Sequence, residues 1–282
     1  MSSTISGINT GVIRHGDQFL ALALKINHPH EQQLLFIPAL LLRDLFICFE
    51  YRLHLQNQRN AKDKAAFKKQ QETATAAMHK HIPTLTQSEL LQADVRQRVE
   101  KIEPQNKNKT ALQLALTLQG GNQVSLTIDD AQIALFVSAI THAINNAGMH
   151  PLSLRLSSLL DFLPLYDADI QSDDKFEYDT YTHPAWKLSL FSETVALVYH
   201  YTDEHGEKQV CGTVVKSRYR GDNKEILAIA QRLLAFSPRL KKLEGKPCQV
   251  SVSTLASGAT HVPRENCLRA MHALWQKSIN TK

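Results

Sequence analysis

No stretch of this sequence is long and apolar enough to cross a bilayer as a helix, which takes roughly 18 uninterrupted apolar residues. The densest run, Ala39 to Phe49, carries Arg43 and Asp44 in its middle. The opening residues, MSSTISGINTG, have neither a basic start nor an apolar core, so no secretory leader is expected. Cysteine is scarce: Cys48, Cys211, Cys248 and Cys267 make up all four, and no two form a CxxC pair. That spacing excludes a readable disulfide framework or zinc motif. Each thiol sits in an apolar stretch, where it packs as a small hydrophobe. Also missing are a GxxxxGK phosphate loop, a GxGxxG turn after a strand, a GxSxG elbow and an HExxH helix. The expectation is a cytoplasmic protein with no dedicated cofactor site.

What the chain does have is 282 residues, enough to bury a core without staples, and a net charge of +5 that is concentrated in one place. From Arg52 to His81 there are seven basic residues (Arg52, Arg59, Lys62, Lys64, Lys68, Lys69, Lys80) and two acids (Asp63, Glu72), which accounts for the whole excess.

Hydrophobic periodicity indicates α+β architecture built from repeated β-hairpin–helix (ββα) units, with a long helical-hairpin insertion. Leu20, Leu22, Leu24 and Ile26 alternate as a strand, and Leu34 to Ile37 reads as its partner. From Pro38, Leu42, Leu45, Phe46, Phe49 and Leu53 then share a helix face. Residues 55–80, rich in Gln, Lys and Ala, extend that helix in this reading. Thr86 and Glu89 form a capping-box pattern that opens a second helix through Leu90, Leu91, Val95 and Val99. The order then recurs. Leu112 to Leu118 and Val124 to Ile128 alternate around Gly120-Gly121, and a helix capped by Asp129 and Gln132 follows. Laying Ile128 over Ile37 aligns Leu42 with Ile133, Leu45 with Phe136, Phe46 with Val137, Phe49 with Ile140 and Leu53 with Ile144. Residues 1–150 thus read as two ββα units, suggestive of duplication, with the insertion at roughly 52–102.

Residues 151–282 read as a helix from Leu152 to Leu163, an acidic aromatic loop and a third ββα unit (Val195–Tyr201, Val210–Val215, then Ile226–Leu234). A strand from Cys248 to Leu255 and a helix from Pro263 complete them.

Five strings resemble the YjeJ-like family of uncharacterised bacterial proteins: Gly7-Ile-Asn-Thr-Gly-Val-Ile-Arg14, His142-Ala-Ile-Asn-Asn146, Leu159-Leu-Asp-Phe-Leu-Pro-Leu-Tyr-Asp167, Glu177-Tyr-Asp-Thr-Tyr181 and Phe236-Ser-Pro-Arg-Leu-Lys-Lys-Leu243. The resemblance spans nearly the whole chain and is weakest near residues 55–85 and 256–262. It implies no activity, cofactor or catalytic residue at any position.

Candidate chemistry therefore rests on the residues alone. Between Asp161 and Asp179 lie seven acids, opposed only by Lys175. Hard divalent cations favour clustered oxygens, so Asp167, Asp169, Asp173 and Asp174 are the candidate metal ligands. The run begins like an EF-hand loop at Asp167 but lacks its turn glycine, and Tyr178 stands where the bidentate Glu belongs. His28 with His30, and His79 with His81, offer paired imidazoles without a third ligand type nearby.

The basic segment could meet phosphates or an acidic protein. On a continuous helix Lys62, Lys69 and Lys80 fall together. With Tyr178, Tyr181 and Trp186 of the acidic stretch they are the candidate binding surface. Arg218, Arg220, Arg239, Lys241 and Lys242 bracket one helix and could bind an anion, whereas His200, Asp203, Glu204 and His205 suit a hairpin turn. The expected function is non-enzymatic binding or regulation through protein or nucleic-acid contacts. Its partner would be another protein, a second copy or nucleic acid, and not a membrane. The alternative is a metal-dependent hydrolase or nuclease using the acidic loop 161–179.

Overall fold

The computed structural model describes residues 5–105, 109–170, 176–203, 205–220, 224–257 and 262–280. The candidate ligands Asp173 and Asp174 and the turn residue Glu204 lie outside them. The chain forms two compact units, 1–160 and 161–282. Both are α+β with antiparallel sheets. No described helix is long and apolar enough to cross a membrane.

In the first unit, β1 (Gly7–His15), β2 (Gln18–Asn27) and β3 (Gln32–Pro38) form one antiparallel meander. β4 (Val99–Gln105), β5 (Ala111–Leu118) and β6 (Gln123–Asp129) form another. A single parallel bridge from Phe36 to Arg98 joins them. α1 (Ala39–Arg59) follows the first meander, and α4 (Ile133–Asn146) follows the second after a 3-10 turn at Asp130–Gln132. The capping box of Asp129 and Gln132 satisfies that turn's free N–H groups. Leu42, Leu45 and Phe49 of α1 and Ile133, Phe136 and Ile140 of α4 are fully buried, so the helical stripes read from the sequence do face the core. The Phe49 and Phe136 rings lie 6.0 Å apart. The order strand, strand, helix recurs, and each half gains a leading strand, β1 or β4, that the hydrophobic pattern does not announce.

The long basic helix is broken. α1 ends at Arg59, and α2 (Lys64–His79) restarts after a turn because the Asp63 carboxylate accepts from Ala66 N at 3.1 Å and caps a new N-terminus. α2 packs by one stripe, with Met78 buried and Phe67, Gln71, Ala74 and Thr75 half-buried. The Thr86–Glu89 capping box is present, but its helix, α3 (Gln87–Leu91), is only five residues long. Asp94 caps a 3-10 turn at Val95–Gln97, and Val99 opens β4 instead of continuing a helix. α3 is held down by Lys25, whose Nζ is 2.6 Å from Glu89 and 2.7 Å from the Thr84 carbonyl. Between α1 and the 3-10 turn, Arg52 and Asp130 form a buried ion pair at 2.5 Å, with Arg59 3.4 Å from the second oxygen. α5 (His150–Ser157) closes this unit and stops well short of Leu163.

In the second unit, β7 (Phe162–Ile170), β8 (Phe176–Thr180), β9 (Glu193–Thr202), β10 (Lys208–Ser217) and β11 (Gln249–Ser257) make one antiparallel sheet in the order β11-β9-β10-β7-β8. The third hairpin is thus the middle of a larger sheet, not a separate ββα unit. The described part of the acidic stretch, 162–170 and 176–179, is strand, paired as β7 with β8. Its acids alternate with Ala168, Ile170 and Tyr178, so each strand is charged on one face and apolar on the other.

α8 (Arg264–Asn280) lies against the apolar face, placing Cys267 and Met271 on Ala168, Ala196, Val198 and Val214. It comes so close at Gly212 that an added Cβ there would sit 2.6 Å from Met271 Sδ. α7 (Lys224–Phe236) covers the opposite face, where the buried Tyr199 hydroxyl donates to the Ala230 carbonyl at 2.9 Å. α6 (Ala185–Ser189) is a short turn of helix before β9.

Candidate functional site

Pairing of β7 with β8 sets Asp167 opposite Asp179 and Asp169 opposite Glu177. Like charges directly across a ladder repel, so this face needs counter-charge from elsewhere. It comes from the segment that follows α7, after Ser237-Pro238 ends the helix. Arg239 forks between two strands, with Nη1 2.8 Å from Asp169, Nε 2.6 Å from Asp179 and Glu177 at 3.7 Å. Lys242 Nζ lies 2.6 Å from Asp169, and the Cys211 thiol on β10 donates to the same carboxylate at 3.1 Å. Burial disfavours ionised Asp169, but the hydrogen bonds from Lys242, Cys211 and Arg239 outweigh it and hold its carboxyl below the usual range. Lys242 shows the mirror effect: burial opposes its charge, and Asp169 overrides that and raises its pKa.

Deeper in, Asp167 is fully buried and forms no ion pair among the described residues. One oxygen accepts from Tyr181 Oη at 2.6 Å and from Ser237 Oγ at 2.5 Å. The other is buried with no hydrogen-bond partner among the described residues. Thr213, directly opposite on β10, is also fully buried, and its hydroxyl has no partner among the described residues. Burial and the Asp167 carboxylate push the Tyr181 phenol up, so it stays protonated and donates.

The chemistry open to this cluster follows from those states. Burial and the Asp169 hydrogen bond push the Cys211 thiol up to about 12, so it is no nucleophile at neutral pH. His200 alternates onto the opposite face of the sheet. Among the described residues no group of three or more His, Cys, Asp or Glu is placed to hold a metal ion. The arrangement is a tied ion-pair network with one buried carboxylate at its base.

The other residues singled out from the sequence are scattered. Tyr178 turns toward α8, its ring 5.7 Å from the Arg264 guanidinium, whereas Tyr181 belongs to the carboxylate face behind it. Trp186 sits on α6 with Lys187 Nζ 5.5 Å from its ring centre. Asp161 is held by a two-pronged contact from Arg232 at 2.6 and 2.9 Å. Of the basic segment, Arg52 and Arg59 turn inward to Asp130. Lys62, Lys64, Lys68, Lys69 and Lys80 are exposed, and none has a carboxylate partner among the described residues. Only Lys64, Lys68 and Lys69 stand on α2. Lys62 lies in the turn before it and Lys80 at its C-terminal cap, so the angular grouping of a continuous helix does not hold. His28 is buried, while His30, His79 and His81 are exposed.

In composition the acids and, separately, Arg239 and Lys242 stand out, but nothing in either segment announces that the two sets meet or that Ser237, Cys211 and Thr213 join them. One signal was available. The strings 159–167, 177–181 and 236–243 are three of the five that carry the family resemblance, and all three converge on this cluster. The other two, 7–14 and 142–146, line one cleft of about 330 Å³ together with Met78 and His79.

Fold and cluster together define a two-unit α+β protein with a charge-paired strand face. The chain belongs to the YjeJ-like family, whose model matches residues 1–281. It is similar to the uncharacterized protein YjeJ of Escherichia coli (strain K12), with 44% identity over 282 residues, covering 99% of this chain and 98% of that protein. No solved structure matches.

Proposed function

We propose that this chain is a non-enzymatic binding protein of the cytoplasm that engages an anionic macromolecule, an acidic protein surface or nucleic acid, through the lysines around α2. The observation that carries this reading is the imbalance within the basic segment: two of its seven cations are used internally, and five lysines face solvent without a carboxylate partner among the described residues. Lysines displayed in this way gain by displacing counter-ions from a polyanion. The acidic face supports the same reading, because Asp169 and Asp179 are held in ion pairs by Arg239 and Lys242. Four free thiols fit a reducing compartment.

The test is fluorescence anisotropy with a labelled duplex DNA and with labelled polyglutamate, over a salt series. Five lysines acting together predict a log–log salt slope of about −4.5 for duplex DNA. A variant with Lys64, Lys68 and Lys69 changed to Glu should lose most of the binding. Whichever probe binds identifies the partner class, and failure of both probes at low salt refutes the proposal.

A second reading, a metal-dependent hydrolase, draws on one observation: the buried, unpartnered oxygen of Asp167. Thermal shifts with Mg²⁺, Mn²⁺ and Ca²⁺ test it. No stabilisation of the wild type, or the same stabilisation of Asp167→Asn, removes it.

A further inference from the structure

We infer that the outer edge of β11 is an interface with a second copy of this chain. β11 ends the five-stranded sheet, with β9 on one side and no described strand on the other. An unpaired edge presents a row of N–H and C=O groups to any passing strand, and proteins ordinarily guard it with charge, proline or a covering segment. The other terminal strands obey that rule. β8 carries Glu177 and Asp179, and β4 carries Glu100, Lys101, Glu103 and Pro104. β3 ends in Pro38, β6 in Asp129. β1 contains Arg14 and is lined by the chain after α2, where Asn9 Nδ2 donates to the Pro83 carbonyl at 2.9 Å. β11 is nine residues long, QVSVSTLAS, with no charge and no proline.

The same composition selects the occupant. A bulge between Thr254 and Ala256 interrupts pairing with β9, so the regular part of the strand runs from Gln249 to Thr254. A two-fold axis perpendicular to the sheet at Val252 makes β11 antiparallel to itself. It sets Val250 opposite Thr254 of the partner copy, and Ser251 opposite Ser253 of the partner copy. Every pair is uncharged, the β-branched residues meet on one face and the serines on the other, a favourable cross-strand set. Self-pairing of β8 would instead bring acids together. A contact that uses one patch on both copies closes as a dimer and does not propagate. A strongly charged partner, such as the polyanion proposed for α2, would find no counter-charge on this edge.

The test is sedimentation equilibrium of the full chain together with a cysteine at the axis. Wild type is expected at twice the 31.7 kDa chain mass. Val252→Lys, which sets two ammonium groups face to face, should sediment at the single-chain mass with its circular dichroism unchanged. Val252→Cys should form a disulfide-linked dimer on mild oxidation, lost on reduction and absent in wild type, which keeps the inference testable if the lysine variant fails to fold. A wild-type chain that is monomeric across the accessible concentration range overturns it. So does a dimer that Val252→Cys does not cross-link.

Discussion

Replacing Asp130 with alanine should be among the most damaging single changes in the first unit, because it strips a buried guanidinium of its carboxylate. The Arg52 and Asp130 side chains are only about a tenth exposed, and they join residues 78 apart. Removing one member of such a pair typically costs about 3–5 kcal/mol. Arg59 changes little, since it is two-fifths exposed and 3.4 Å away. The bond from Gln56 Nε2 goes to the Asp130 backbone carbonyl at 3.1 Å and survives the change. The expected loss is therefore about 3 kcal/mol, or a fall in melting temperature of about 6–12 °C. Arg52→Met combined with Asp130→Ala leaves no stranded charge and should recover to within about 1 kcal/mol of wild type. Urea unfolding followed by far-UV circular dichroism is the assay, because both tryptophans, Trp186 and Trp275, lie in the second unit and report on that unit instead. A single variant that loses less than about 1 kcal/mol, or a double variant as unstable as the single, would refute the reasoning.

Three further outcomes are expected. Gly7→Ala should cost about 2 kcal/mol or more by thermal melting, since its Cβ would lie 2.0 Å from the His81 carbonyl oxygen and neither backbone can step aside. Gly11→Ala meets only the flexible ends of Leu85 and Leu90 and should cost less. The folded pKa of Asp169 is depressed, so its contribution to stability is complete above the unfolded value of about 3.9 and disappears as pH falls through the folded value. Asp169→Asn should accordingly be less stable than wild type at pH 7 but lose less on acidification, read as the urea midpoint against pH. Finally, Cys211 and Cys267 are buried with thiols pushed to about 12 and about 11. Half-buried Cys248 should be alkylated first by iodoacetamide at pH 8, and all four should label in urea. Rapid labelling of Cys211 in the folded protein would contradict the geometry of the acidic face.

Legibility in the sequence followed the strength of local periodicity. The hairpins β2–β3, β5–β6 and β9–β10 announced themselves by alternation, and Gly120 and Gly121 do take positive φ angles of 95° and 86° at their turn. α4 and α7 showed their stripes because one face of each is wholly buried. β1 was hidden because close approach of the chain at His81 demands glycine where a strand would show a side chain. β4 was hidden because its register shifts between Val99 and Lys101, which breaks the period of two. The strands β7 and β8 were hidden by their acids, since seven carboxylates in a short stretch read as solvated loop until the alternating Ala168, Ile170 and Tyr178 are given equal weight. The site itself was not legible. Asp169 and Arg239 are 70 residues apart, and nothing local in either segment says that they touch.

The position of β11 in its sheet has a consequence for synthesis. The first unit is made of meanders whose neighbours in space are neighbours in sequence, so each can pair as it leaves the ribosome. β9 is different. One of its sides stays open until residues 249–257 exist, and the face bearing Ala196, Val198 and Val214 stays uncovered until α8 has been made. From the completion of β10 at Ser217 until α8 forms, the second unit therefore carries exposed apolar surface, and until β11 is made an open strand edge as well, the state most prone to mispairing. A nascent chain stopped before residue 249 should need a chaperone that the finished protein does not.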